Sequence, residues 1–84
     1  MADALIGKVT HYYNHLGVGI IKLTGTLNKG ELIKFVGHGR DFSQNANSLQ
    51  LEHKDIQTAK KGDEIGLKTD QKVKEGDEVY KVKV

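Results

Sequence analysis

The chain of 84 residues has no cysteine and no proline. Without cysteine there are no disulfides, no thiolate metal sites and no thiol nucleophile, which removes several enzyme classes at once. Without proline, nothing forbids uninterrupted backbone pairing along any stretch. Long apolar runs are also missing: none approaches the roughly 18–20 residues that a membrane-crossing helix needs. The opening MADALIGKVT carries an acid where a secretory leader carries lysines and has no apolar block behind it, so a cytoplasmic protein is expected, with no membrane partner.

A chain this short makes one domain, spanning 1–84 with its core in about 5–83, and buries only roughly 60–65% of its unfolded surface. Such a domain has to be held by close packing, and a closed barrel is one architecture that leaves no sheet edge exposed. Hydrophobic residues make up 37% of the chain and charged ones 29%, the composition of a soluble globular protein. The net charge of +2 hides an asymmetry: residues 1–40 hold five basic and two acidic side chains, and residues 41–84 hold eight lysines and nine acids. A basic half of this kind permits nucleic-acid contact and equally fits a solvated lysine-rich surface.

Alternation with period two runs through almost every segment. Leu5 to Tyr13 and Val18 to Leu23 read as strands joined by a turn at Asn14-His15-Leu16-Gly17, with Gly19 marking a bulge or a close backbone approach. Glu31 to Val36 reads as a third strand, followed by the loop Gly37-His38-Gly39-Arg40. Asp41 to Glu52 is an extended piece with Phe42, Leu49 and Leu51 inward, and Lys54 to Lys61 has the spacing of a helical turn. Glu64 to Lys68 and Glu78 to Val84 complete six or seven strands, an all-β sandwich or barrel.

The segments KGDEI (61–65) and EGDEV (75–79), with KGELI (29–33) as a looser copy, repeat one device. Glycine supplies the dihedral of a tight turn, the acid bonds turn amides, and the β-branched residue two places after the acid points into the core. The intervals between copies are unequal, so they are recurring strand starts and not a solenoid.

Taken in order, Gly25 to Ile33, Ala59 to Leu67 and Val73 to Val79 resemble the second domain of translational GTPases such as elongation factor Tu and initiation factor 2, over about residues 5 to 83. The resemblance implies a small closed six-stranded antiparallel β-barrel, similar to stand-alone translation elongation factor-like proteins. The barrel also looks like the domain at the C-terminus of some U32-family peptidases, and shared fold does not fix activity. The phosphate-binding G-x-x-x-x-G-K-[ST] is missing, so GTP hydrolysis is not implied. The carboxylate of the family's aminoacyl pocket matches Gln50, and its closing apolar residue falls near Lys68 or Thr69, both polar.

At the first hairpin, His11, Tyr12, Tyr13 and His15 form an aromatic cluster with Lys8 and Lys22 near its base, suited to stacking on bases or simply lying at a barrel end. In the Gly37–Asp41 loop, free backbone amides and the Arg40 fork suit an anion; a plain hairpin with an Arg–Asp pair is the alternative. His11 and His15 have metal spacing only on a helix, so no metal and no cofactor is expected. No nucleophile–base set is spaced for catalysis, and a small barrel fills its own interior, so the chain is not expected to be an enzyme.

The expected function is therefore a monomeric, non-catalytic module that binds RNA (tRNA or rRNA) or the translation machinery. Lys8, Lys22, Lys29, Lys34 and Arg40 would contact phosphates, and Tyr12, Tyr13, His15, His38 and Gln50 would stack or orient. The alternative is a protein-interaction adaptor using the same loops or the edge from Asp41 to Asn47, and a further one an accessory module to a U32-type peptidase.

Overall fold

The Gly-acid repeats turn out to be the corners on which the fold is hung. In the computed structural model, which describes residues 4–37, 39–52 and 54–82 with only the backbone at Arg40, ten strands are present. They are β1 (Ala4–Tyr13), β2 (Val18–Leu23), β3 (Leu27–Asn28), β4 (Leu32–Gly37), β5 (Arg40–Asn45), β6 (Leu49–Leu51), β7 (Lys54–Asp55), β8 (Thr58–Ala59), β9 (Glu64–Lys68) and β10 (Glu78–Lys81). The corners at 28–31, 60–63 and 74–77 launch β4, β9 and β10.

All three corners share one set of bonds. The acid's N–H donates to the carbonyl three residues earlier, at 3.1 Å from Glu31 to Asn28 and 3.0 Å both from Asp63 to Lys60 and from Asp77 to Lys74. The acid's carboxylate accepts the N–H of that same earlier residue, at 2.7 Å for Asn28, 2.9 Å for Lys60 and 3.0 Å for Lys74. The glycine between them has φ of 93°, 94° or 96°, as the third position of a type II turn demands. Each glycine N–H then bonds a neighbouring segment, to the carbonyls of Ala46, Leu23 and Val9 respectively. Two residues past each acid stand Ile33, Ile65 and Val79, all at 0% exposure.

Every strand pairing is antiparallel. Eight strands form one sheet in the order β5-β4-β10-β1-β2-β9-β6-β7, and β3 pairs with β8 beside it. Register shifts between Leu5 and Gly7 and between Val9 and His11 put irregularities in the long β1, which bend and coil a sheet. The concave side holds Ile21, Leu23, Leu27, Leu49, Leu67 and Val73 with the three β-branched residues above, and Phe35 stacks on Phe42 at 5.1 Å. Burial of each such side chain contributes about 1.5–3 kcal/mol.

The all-β antiparallel expectation holds, and two details are corrected. Among the described residues the strands do not close into a ring of six: the ladder runs open from β5 to β7. The chain breaks from β5 at Ala46, whose N–H and C=O are taken by Glu31 and Gly30. At the seam a side chain replaces a ladder, with Gln44 donating through Nε2 to the Lys68 carbonyl (2.9 Å) and accepting the Asp70 N–H at Oε1 (2.7 Å). Second, the helical turn expected over Lys54 to Lys61 is instead β7 and β8. Tertiary partners claim its backbone: Ile56 N–H goes to Leu49 O and Gln57 O accepts from Lys29 N–H.

Candidate functional site

Alternation along β1, β2, β9 and β6 sends one set of residues into the core and the other onto a shared outer face. On that face β1 presents His11 and Tyr13, β2 presents Val18 and Ile20, and β9 presents Gly66 and Lys68, followed by Gln50 on β6. Tyr13 pairs with Val18, Val18 with Lys68, and Gly66 with both Ile20 and Gln50, so these residues lie in adjoining cross-strand rows.

The tip of the β1–β2 hairpin is fixed over the end of this face. Leu16 and Gly17 N–H groups both donate to Tyr13 O, at 3.2 and 2.9 Å, and Thr69 N–H donates to Gly17 O at 2.9 Å. A pinned backbone thus holds Leu16 out at 65% exposure, beside Tyr13 at 46%. Below them lies a shallow groove of about 320 Å³ lined by Leu16, Val18, Ser48, Gln50, Gly66 and Lys68. Gln50 donates to Asp55 Oδ1 at 3.2 Å, which steadies the polar wall. A second groove, about 470 Å³, lies between His11, Tyr12 and Asn14 and the segment Lys72 to Glu75.

The residues singled out from sequence are spread over the surface. Tyr12 turns inward and packs on the core, while Tyr13 turns outward with its ring edge-on to His11 at 4.5 Å. His15 is exposed in the turn. Lys8 and Lys22 face each other across β1 and β2, but Glu78 stands opposite Lys8 and Glu64 opposite Lys22, so the row Glu78-Lys8-Lys22-Glu64 balances its own charge. Lys34 lies 3.7 Å from Asp41 on the far side of β10, and Lys29 sits in the first corner. His38 lies outside the described residues, as does the Arg40 side chain. Gln50 is the one of the set that lines the Gly66 groove. Sequence reasoning passed over Leu16, Val18 and Gly66, although a glycine at the outward position of EIGLK was a legible signal.

Chemically the groove offers apolar groups, neutral polar groups and one cation, Lys68. Among the described residues no three or more His, Asp or Glu side chains gather to hold a metal, and no helix is long and apolar enough to cross a membrane.

The fold so described is shared with a solved domain of a larger protein. The C-terminal domain of a Geobacillus thermoleovorans protein assigned as a U32 peptidase superposes with a TM-score of 0.89, covering 95% of this chain and 93% of that one at 16% identity. Its selenomethionine form gives 0.87 over 92% and 98%. In sequence, an uncharacterized protease of Methanocaldococcus jannaschii is 37% identical over 79 residues. That match takes in 93% of this chain and 19% of the protease, so the chain spans about a fifth of its curated relative. No family model matches.

These findings overturn the kinship with the second domain of translational GTPases, and with it the RNA-binding and translation role. The glycine-acid corners that carried that resemblance are generic turn chemistry for strands entering a coiled sheet, so they serve unrelated proteins equally.

Proposed function

We propose that this chain is a non-catalytic accessory domain of a U32-type peptidase, acting by protein–protein contact through its outer face. The observation that carries this reading is the 37% identity across 93% of the chain to a protease of which the matched part is 19%. The close superposition on a peptidase C-terminal domain supports it. The interior is filled by side chains, and Gln44 bridges β5 to the end of β9, which leaves the rim and outer face for function.

The test is to mix the purified chain with the U32-type peptidase encoded in the same genome and follow association by calorimetry and size-exclusion chromatography, assaying peptide hydrolysis with and without the chain. The expected result is a stoichiometric complex and an altered KM, with no hydrolysis by the chain alone. Absence of both association and kinetic effect would overturn the proposal.

A further inference from the structure

Gly66 is a glycine the fold does not require. It sits at the centre of β9, where glycine weakens a strand relative to alanine. Its φ is not positive, unlike that of the corner glycines. Nor is it crowded: an added Cβ would meet nothing nearer than Val18 Cγ1 at 3.5 Å, Ile20 Cδ1 at 3.7 Å and Gln50 O at 4.0 Å, all ordinary contacts. By comparison, a Cβ at Gly7 would stand 2.8 Å from Lys22 O. The register runs without a bulge through Gly66, and a bare strand backbone of this kind leaves room for another chain to come close.

The surroundings say what that chain looks like. Leu16 and Val18 give the groove an apolar wall, Ser48 and Gln50 a neutral polar one, and Lys68 closes it. The lining includes a cation and no acid. With a volume of about 320 Å³ it accommodates one large apolar side chain and its backbone, not a folded ligand.

We infer that the groove over Gly66 is the docking point for the peptidase body, receiving an extended segment that lays its backbone across Gly66, places an aliphatic or aromatic side chain against Leu16 and Val18, and sets a carboxylate at Lys68. The inference rests on the accessory-domain reading and specifies its contact. Three features converge on this occupant: the unforced glycine, the positive charge at the groove end, and the much longer protein of which the matched relative segment is 19%.

The deciding experiment measures the Kd of the chain for the same-genome U32-type peptidase, using wild type, Gly66→Val, Lys68→Glu and the distant surface variant Lys61→Glu, each checked for folding by thermal denaturation. Valine fills the groove and favours the strand conformation, and Lys68 is exposed, so its reversal leaves the fold intact. The expected result is a Kd raised roughly tenfold or more by Gly66→Val and by Lys68→Glu, the scale of losing one interface anchor, with Lys61→Glu unchanged. Should Gly66→Val fail to fold, Lys68→Glu decides alone. A complex whose affinity ignores both groove variants would overturn the docking point while leaving the accessory role standing. No complex at all removes both. A wild-type dimer in sedimentation that Gly66→Val dissociates would make a second copy the occupant, and that too overturns the inference.

Discussion

The carboxylate of Asp77, at 0% exposure, accepts the backbone N–H of Lys74 at 3.0 Å. The equivalent bonds at the other corners belong to Asp63, which is half-buried, and to Glu31, which also lies 3.3 Å from Lys81 Nζ. The geometry is the same in all three and the burial is not, so their contributions to stability should rank by burial. Asp77→Ala is expected to cost about 2–3 kcal/mol, since it removes the fully buried side chain that accepts the Lys74 N–H and leaves that part-buried donor without it. Asp63→Ala should cost about 1 kcal/mol. Urea denaturation of both variants checks the order, and equal losses would show that the corner bond alone, not its burial, sets the energy.

Gly37 stands against the same carboxylate. A Cβ there would lie 2.6 Å from Asp77 Oδ1 and 3.2 Å from Asp77 Cα, at a φ of 154°. Because the second atom is backbone, no side-chain rotation relieves the contact. Gly37→Ala is therefore expected to destabilise by about 2 kcal/mol or more, whereas Gly66→Ala, with only ordinary contacts, should be neutral or stabilising by up to about 1 kcal/mol. For a domain this small the difference should appear as a melting-temperature gap of roughly 10 °C or more.

These two positions also show where sequence is informative. The corners were readable because glycine, acid and β-branched residue are each demanded by a local requirement, and Ile33, Ile65 and Val79 all arrive in the core as that logic requires. What eluded it was set at long range. Lys54 to Lys61 has helical spacing, but Leu49 and Lys29 capture its backbone, and neither partner is visible in a local window. Gln44 is one polar letter among several in the extended piece Asp41 to Glu52, yet at 7% exposure it is the bridge across the seam. The candidate site was legible only at its edge. Gln50 stands out in the sequence, while Gly66 shows there only as a glycine at the outward position of a strand, and the open space above it is set by the fold.

Gln44 makes the seam testable. Its amide satisfies the Lys68 carbonyl and the Asp70 N–H together, at 2.9 and 2.7 Å. Gln44→Glu keeps the acceptor for Asp70 but sets a carboxylate against the Lys68 carbonyl, so it should cost about as much as Gln44→Ala, roughly 1–3 kcal/mol. The two variants separate in hydrogen exchange: the Asp70 amide should exchange faster in Gln44→Ala and remain protected in Gln44→Glu. Loss of protection in both would mean that the seam depends on the donor half of the amide.

Leu16 and Leu67 are the same side chain under opposite constraints. Leu67 is at 0% exposure on the inner face of β9, and Leu16 is at 65% on a backbone pinned by Tyr13 and Gly17. Leu67→Ala removes buried methyl groups and leaves a cavity, a loss of about 2–5 kcal/mol. Leu16→Ser removes nothing from the core, so its stability should stay within about 0.5 kcal/mol of wild type. Leu16 also lines the Gly66 groove, so on the proposed docking surface it meets the partner without supporting the fold. Leu16→Ser is accordingly expected to weaken association with the U32-type peptidase roughly tenfold while leaving the melting temperature in place. A Leu16→Ser variant that melts several degrees lower would reassign the residue to the fold, and one that binds with undiminished affinity would remove the hairpin tip from the contact surface.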